Sequence, residues 1–204
     1  MTIQKRRTQV DRREEAESKL IDAAVSLIAH NGFKGFTLAE VGQTAGYSRG
    51  LPVHYFASKD QLIERVAEHI VERYYAGLST GVHAERGLPM LIEMIRQYAN
   101  LLKKGDDSMR AFSFLLAQAP VNESVGRAFT KLNTKGTSTL QEQITAGIDA
   151  GHIKSSIDAA TSAQMIYAFL RGALMFSVSS KDFDPSAVVE QFICTTINSF
   201  RVIQ

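Results

Sequence analysis

Ser48, Arg49, Gly50 and Leu51, followed by His54, Tyr55 and Lys59, put a guanidinium, an imidazole, a phenol and an ammonium in one short stretch. These groups are suited to recognition rather than to bond cleavage. A guanidinium can donate two parallel hydrogen bonds to O6 and N7 of guanine, worth roughly 1–3 kcal/mol of base discrimination. Gly50 beside it lets backbone come close to a partner. Thr37, His54, Tyr55 and Lys59 suit phosphate oxygens, which fix register without reading sequence. Pro52 sits in the middle of the stretch, so the elements around it decide whether these groups stand on a helix or on a basic loop.

Three segments mark helix starts: DRRE (Asp11–Glu14), TLAE (Thr37–Glu40) and SKDQ (Ser58–Gln61). Each has a capping residue with a carboxylate or amide three positions later, the pattern of a capping box. Ala16, Leu20, Ala23, Ala24, Leu27 and Ile28 recur at helical spacing after the first, and Asn31-Gly32 stops that helix. The second helix is short, because Gly46 follows. Gly42, four residues earlier, is a small residue where two helices can cross steeply, with Val41, Ala45, Tyr47 and Phe56 to close the core. With Ser48 as N-cap, the third helix presents Ser48, Arg49, Gly50, Leu51 and His54 outward. That is the layout of a helix-turn-helix whose second helix enters the major groove by its N-terminal end. Pro52 is then the fourth helical residue and loses only its bond to the Ser48 carbonyl, which predicts a first turn that is loose or displaced. The helix starts at Thr37 and Ser58 also offer amides to phosphate.

Residues 1–60 hold nine Lys/Arg against seven Asp/Glu, whereas residues 61–204 hold fourteen of each, so the net charge of +2 lies wholly in the first sixty residues. Lys5, Arg6, Arg7, Arg12 and Arg13 form a basic arm able to lie along phosphates. Further on, helices are expected near 88–104, 107–118, 122–150, 158–179 and 185–203, and the chain reads as all-α. It divides into a DNA-binding region, 1–60, and a larger helical region, 61–204. A hydrophobic fraction of 45% and a charged fraction of 22% are those of a globular protein. No apolar run long enough for a membrane span appears, and the basic N-terminus lacks the apolar segment of a secretory signal. The single cysteine, Cys194, forms no internal disulfide and suits a reducing cytoplasm.

The stretch FTLAEVGQTAGYSRGLPVHYFASKDQLI resembles the DNA-binding signature of the tetracycline-repressor (TetR/AcrR-like) family of bacterial regulators. AAVSLIAHNGFKGFT before it is similar to that family's first helix and glycine-rich exit. ITAGIDAGHIKSSIDAATSAQMIYAFLRGAL resembles its approach to the penultimate helix. The resemblance implies an all-α homodimer with an N-terminal helix-turn-helix for a palindromic operator in double-stranded DNA, and a C-terminal domain that receives a small effector. It places Arg49 and Gly50 at base-contact positions and Thr37, His54, Tyr55 and Lys59 at phosphate-contact or positioning sites. Many members carry Leu-Tyr where this chain has Pro52-Val53, so one common aromatic phosphate contact is absent.

The last two expected helices are apolar nearly all round, which requires burial on more than one side. Ile166, Leu170, Leu174, Val189, Phe192, Ile193, Ile197 and Phe200 are the candidates for a four-helix dimer interface. The effector cavity that the resemblance implies is expected to draw on Met90, Met94, Met109, Met165 and Met175 with Tyr98, Phe112, Phe114, Tyr167 and Phe169, and on Arg110 and Gln118 as polar anchors. HExxH, a phosphate-binding loop, GxSxG and CxxC are all lacking. His30, His69, His83 and His152 are scattered, and Glu64, Glu68 and Glu72 interleave with Arg65 and Arg73. No catalytic group, metal site or cofactor is expected. The composite expectation is a ligand-responsive repressor, with two other readings open: an activator or partner-switched regulator, and a helical ligand-binding or enzymatic protein that no longer reads DNA.

Overall fold

The computed structural model describes residues 8–79 and 84–202, with side chains for all of these except 74–79. Lys5, Arg6, Arg7 and His83 lie outside the described residues. The fold is all-α. In chain order the helices are α1 (Gln9–Asn31), α2 (Leu38–Thr44), α3 (Leu51–Phe56), α4 (Lys59–Ser79), α5 (Leu88–Lys104), α6 (Asp107–Gln118), α7 (Glu123–Asp149), α8 (Ala159–Ser179) and α9 (Pro185–Phe192).

Local capping explains most boundaries. Thr37 caps α2 with a reciprocal box: its hydroxyl accepts from the Glu40 amide at 3.3 Å, and Glu40 Oε2 accepts from the Thr37 amide at 2.7 Å. Asp106, Asn122, Asp158 and Asp184 cap α6, α7, α8 and α9 through a side-chain oxygen that accepts from a first-turn amide. Helix α1 starts earlier than expected. Thr8 is its N-cap and Asp11 completes the box as the third helical residue, so the Asp11 carboxylate answers a cap rather than forming one.

The last helix also departs from expectation. It does not run smoothly to 203: α9 ends at Phe192 and passes into a π-helical turn, Ile193–Ile197, then a 3-10 turn, Asn198–Phe200. The chain then closes against the loop after α7. The Lys154 amide donates to the Phe200 carbonyl at 2.9 Å, and Ile153 bridges Arg201.

Helices α1, α2 and α3 surround Val41 and Phe56, and α4 joins this small bundle to the larger one formed by α5–α9. Arg65 on α4 meets Glu17 of α1 at 3.5 Å, and Arg73 meets Asp22 at 3.5 Å. Leu62, Ile63 and Val66 are fully buried between them. Arg96 on α5 grips Glu190 on α9 through two bonds of 2.6 and 2.8 Å.

Candidate nucleic-acid interface and effector cavity

The elbow between α2 and α3 is built from two glycines and the proline. Gly46 takes φ +78°, a conformation open to glycine, and its amide donates to the Gln43 carbonyl. At Gly42 the chain crosses itself so closely that a Cβ would lie 2.5 Å from the Ser48 carbonyl oxygen and 3.1 Å from Pro52 Cδ. The proline ring is buried against this crossing. Helix α3 begins two residues later than the Ser48 cap predicts. Gly50 is its N-cap and Pro52 its second residue, where no amide hydrogen is needed. Ser48–Gly50 form a turn, closed by a 3.1 Å bond from the Leu51 amide to the Ser48 carbonyl.

This geometry sorts the recognition residues. Ser48, Arg49, Gly50 and His54 are exposed, and Val53 joins them on the same face. Leu51, expected beside them, is half-buried and packs on the core. Arg49 does not hang free. With the Gln43 amide turned so that its oxygen faces the guanidinium, that oxygen accepts from Arg49 Nε at 3.2 Å and Nη2 at 3.1 Å. The guanidinium is thereby aimed before any partner arrives. Tyr55 is half-buried, with the Arg13 guanidinium over its ring at 5.9 Å.

Two of the expected phosphate ligands are turned to the framework. Lys59 Nζ donates to the Phe36 carbonyl at 2.6 Å and lies 3.9 Å from the centre of the Phe36 ring. Burial lowers its pKa, with Glu40 and Asp60 opposing. Lys59 therefore ties the start of α4 to the approach to α2. The Thr37 hydroxyl donates to Glu40 Oε2 at 2.8 Å, and these bonds lower the Glu40 pKa. The start of α2 already holds its own carboxylate, which opposes a phosphate there.

In the larger bundle a cavity opens among α4, α5, α6, α7 and α8. Ile70, Val71, Met109, Leu132 and Leu170 give it an apolar wall, and Tyr98, Phe112, Tyr167 and Arg171 the rest. Its free space is about 20 Å³, which is about the room one water molecule requires. Burial pushes the Tyr98 phenol up to about 12 against the opposing charge of Arg171, and it raises Tyr167 as well. A Cβ on Gly136 would strike the Tyr167 ring, so this glycine lets α8 seat the phenol beside α7.

Of the residues expected to line a cavity, Tyr98, Met109, Phe112 and Tyr167 do so. Phe114, Met165 and Arg110 are exposed, Met90, Met94 and Gln118 lie outside the wall, and Phe169 stacks on Phe192 at 3.8 Å. Arg171 is the charged group of the cavity wall that sequence reading passed over. Its available signal was its spacing, four residues after Tyr167 on the same helical face.

The residues expected at a dimer face pack mostly into the core of the chain itself. Ile166, Leu170, Leu174, Val189, Ile193, Ile197 and Phe200 are buried inside a single chain, and Phe192 is half-buried. The outward side of α8 and α9 instead carries Met165, Met175, Val188 and Phe176, the last 61% exposed. Cys194 is exposed on the π-helical turn. No helix among the described residues is long and apolar enough to cross a membrane.

Residues 20–66 match the family described as bacterial regulatory proteins, tetR family, and residues 89–200 match that described as BetI-type transcriptional repressor, C-terminal. The chain is 42% identical over 79 residues to the HTH-type transcriptional regulator CymR of Pseudomonas putida, covering 37% of this chain and 39% of that one. It is 38% identical over 80 residues to the regulator BetI of Paraburkholderia phymatum, covering 39% and 41%. The chain thus spans about two fifths of the length of these curated relatives. Two solved structures share the fold. A TetR transcription regulator from Haloarcula marismortui superposes with TM-score 0.82 at 17% identity, over 93% of this chain and 100% of that one. A putative regulator from Saccharomonospora viridis, solved in complex with choline, gives 0.77 at 16% identity, over 90% and 97%.

Proposed function

Because the chain belongs to the tetR family of bacterial regulatory proteins, with a BetI-type C-terminal half, we propose that this transcriptional regulator is a repressor released by a small molecule. It binds a palindromic operator as a homodimer in the cytoplasm, and an apolar or aromatic effector entering the cavity lowers its hold on DNA. One observation carries the reading: a single helix joins the two sites. Lys59 at the start of α4 is bonded to the Phe36 carbonyl beside the helix-turn-helix, and Ile70 and Val71 on the same helix wall the cavity. An effector that fits better when α4 is displaced would shift the population away from the DNA-binding form.

The outward apolar side of α8 and α9 supports pairing with a second copy as a four-helix interface. Operator half-sites would then lie about 34–36 Å apart, one helical turn. Arg49 and Gly50 read bases, and His54 contacts phosphate with Ser48 beside it. A cavity of packed hydrocarbon alone would favour switching by a protein partner. The guanidinium and two phenols of this one favour a small molecule. The choline-bound neighbour shares the fold at 16% identity, so the class of effector rests on this chain's own residues.

The test is binding of purified protein to its own upstream DNA across a salt series, with sedimentation to fix the oligomeric state. Specific, salt-sensitive binding by a dimer is the expected result. Equal weak binding to every fragment, or a monomer, would overturn the proposal.

A further inference from the structure

Among the described residues, Arg171 is a half-buried charge with no carboxylate partner. Arg171 lies at the cavity wall with its guanidinium 4.6 Å from the ring centres of both Phe112 and Tyr167. Its Nη2 donates to the Tyr167 hydroxyl and, at 3.5 Å, to Asn133 Oδ1, yet its Nε is buried without an acceptor. No Asp or Glu among the described residues forms an ion pair with it. Charged groups withdrawn from water are ordinarily paired, because desolvation outweighs what ring faces return.

We infer that Arg171 is the anchor for a carboxylate, and that the effector is a small monocarboxylate with an apolar aliphatic or aromatic body. The inference rests on the effector reading above and narrows it. A guanidinium offers a planar fork that a carboxylate meets with two parallel bonds. Here Nε has no acceptor among the described residues, and a carboxylate that takes it would share the adjacent Nη2 with Tyr167 and Asn133, beside a Tyr98 phenol that already feels the Arg171 charge. Ile70, Val71, Met109, Leu132 and Leu170 are hydrocarbon or thioether and suit the body of such a ligand. A quaternary ammonium is disfavoured at the same place: the aromatic faces that would attract it are already held by Arg171, whose charge repels it. The cavity has room for about one water, so a ligand larger than that must move a wall, and the α4 wall is the one that leads to the helix-turn-helix.

The experiment is calorimetric titration of the full chain with a set of straight-chain carboxylates from acetate to octanoate, together with benzoate and phenylacetate. Benzamide, hexanamide and choline serve as neutral and cationic controls. Arg171→Met keeps the bulk without the charge, and Arg171→Lys keeps the charge without the fork. At least one carboxylate should bind the wild type. Its amide should bind about ten- to hundredfold more weakly, the loss of a charge-assisted hydrogen bond. Arg171→Met should lose the same factor while melting as a folded helical protein and binding upstream DNA normally, and Arg171→Lys should recover part of it. Binding of no carboxylate in the set, or equal binding by Arg171→Met, overturns the inference. Carboxylate binding that leaves DNA affinity unchanged would keep the site and sink the effector reading. Release from DNA by an amide or choline would do the reverse.

Discussion

Replacing Gly42 by alanine adds one methyl group at the tightest point of the DNA-binding bundle. The new Cβ would sit 2.5 Å from the Ser48 carbonyl oxygen, where ordinary contact starts at 3.4 Å, so α2 and the turn before α3 must part by roughly 0.9 Å. The carbonyl is not free to swing aside, since it accepts from the Leu51 amide. Overpacking of this kind costs about 1–3 kcal/mol, and alanine's better helix propensity returns up to about 1 kcal/mol. A net loss of about 1–2 kcal/mol lowers the melting temperature by about 2–8 °C in a chain of this size. The displaced turn carries Arg49, so affinity for upstream DNA should fall further than stability does. Gly50→Ala is the control. It has φ outside the left-handed region and nothing within 4 Å of the added Cβ, so it should melt like the wild type. Circular dichroism melts and fluorescence anisotropy on the same preparations decide the matter. A Gly42→Ala protein with wild-type melting and wild-type DNA affinity would refute the close crossing.

Arg49→Ala should lose about 1–3 kcal/mol of discrimination between specific and scrambled DNA in competition binding, whereas Gln43→Ala should weaken binding without changing the preferred base. Lys59→Met should lower the melting temperature while leaving the slope of log affinity against log salt unchanged; a slope flatter by about 0.9 per lost contact would restore Lys59 to the phosphate ligands. Tyr98 is raised to about 12 by burial, so the folded state holds that proton more tightly than the unfolded chain, whose phenol titrates near 10. Its contribution is intact below about pH 10 and declines towards pH 12, by up to about 3 kcal/mol. Tyr98→Phe should flatten that alkaline decline in urea denaturation.

What could be read from sequence was what depends on neighbours in the chain. Thr37 and Glu40 form their box within four residues, and the Gly42–Gly46 elbow is equally local. Asp11 misled because an acid followed by Glu14 imitates a cap, although Thr8 was three residues before it. Pro52 was placed in the right helix but two positions too deep, because the Ser48–Gly50 turn is set by packing against Gly42. For α8 and α9, apolar residues cover both sides, and periodicity says nothing about which side faces inward. The cavity joins side chains from five helices, so Arg171 acquires its meaning only when Phe112, far back in the sequence, is folded beneath it. The π-helical turn at Ile193–Ile197 leaves no mark in residue type.

Helix α4 is also a rod with unequal arms. Its middle is pinned to α1, where Arg65 meets Glu17 and Val66 is fully buried. At about 1.5 Å of rise per residue, Ile70 lies about 6 Å from Val66 on one side and Lys59 about 10 Å on the other. Were α4 to turn rigidly about this point, with the Arg73–Asp22 contact beyond Ile70 giving way, a push of about 1 Å at the cavity wall would appear as nearly 2 Å, in the opposite sense, where Lys59 grips the Phe36 carbonyl. On the proposed reading the short arm would face the cavity and the long arm the turn that carries Arg49, so that a small intrusion would be magnified on its way there.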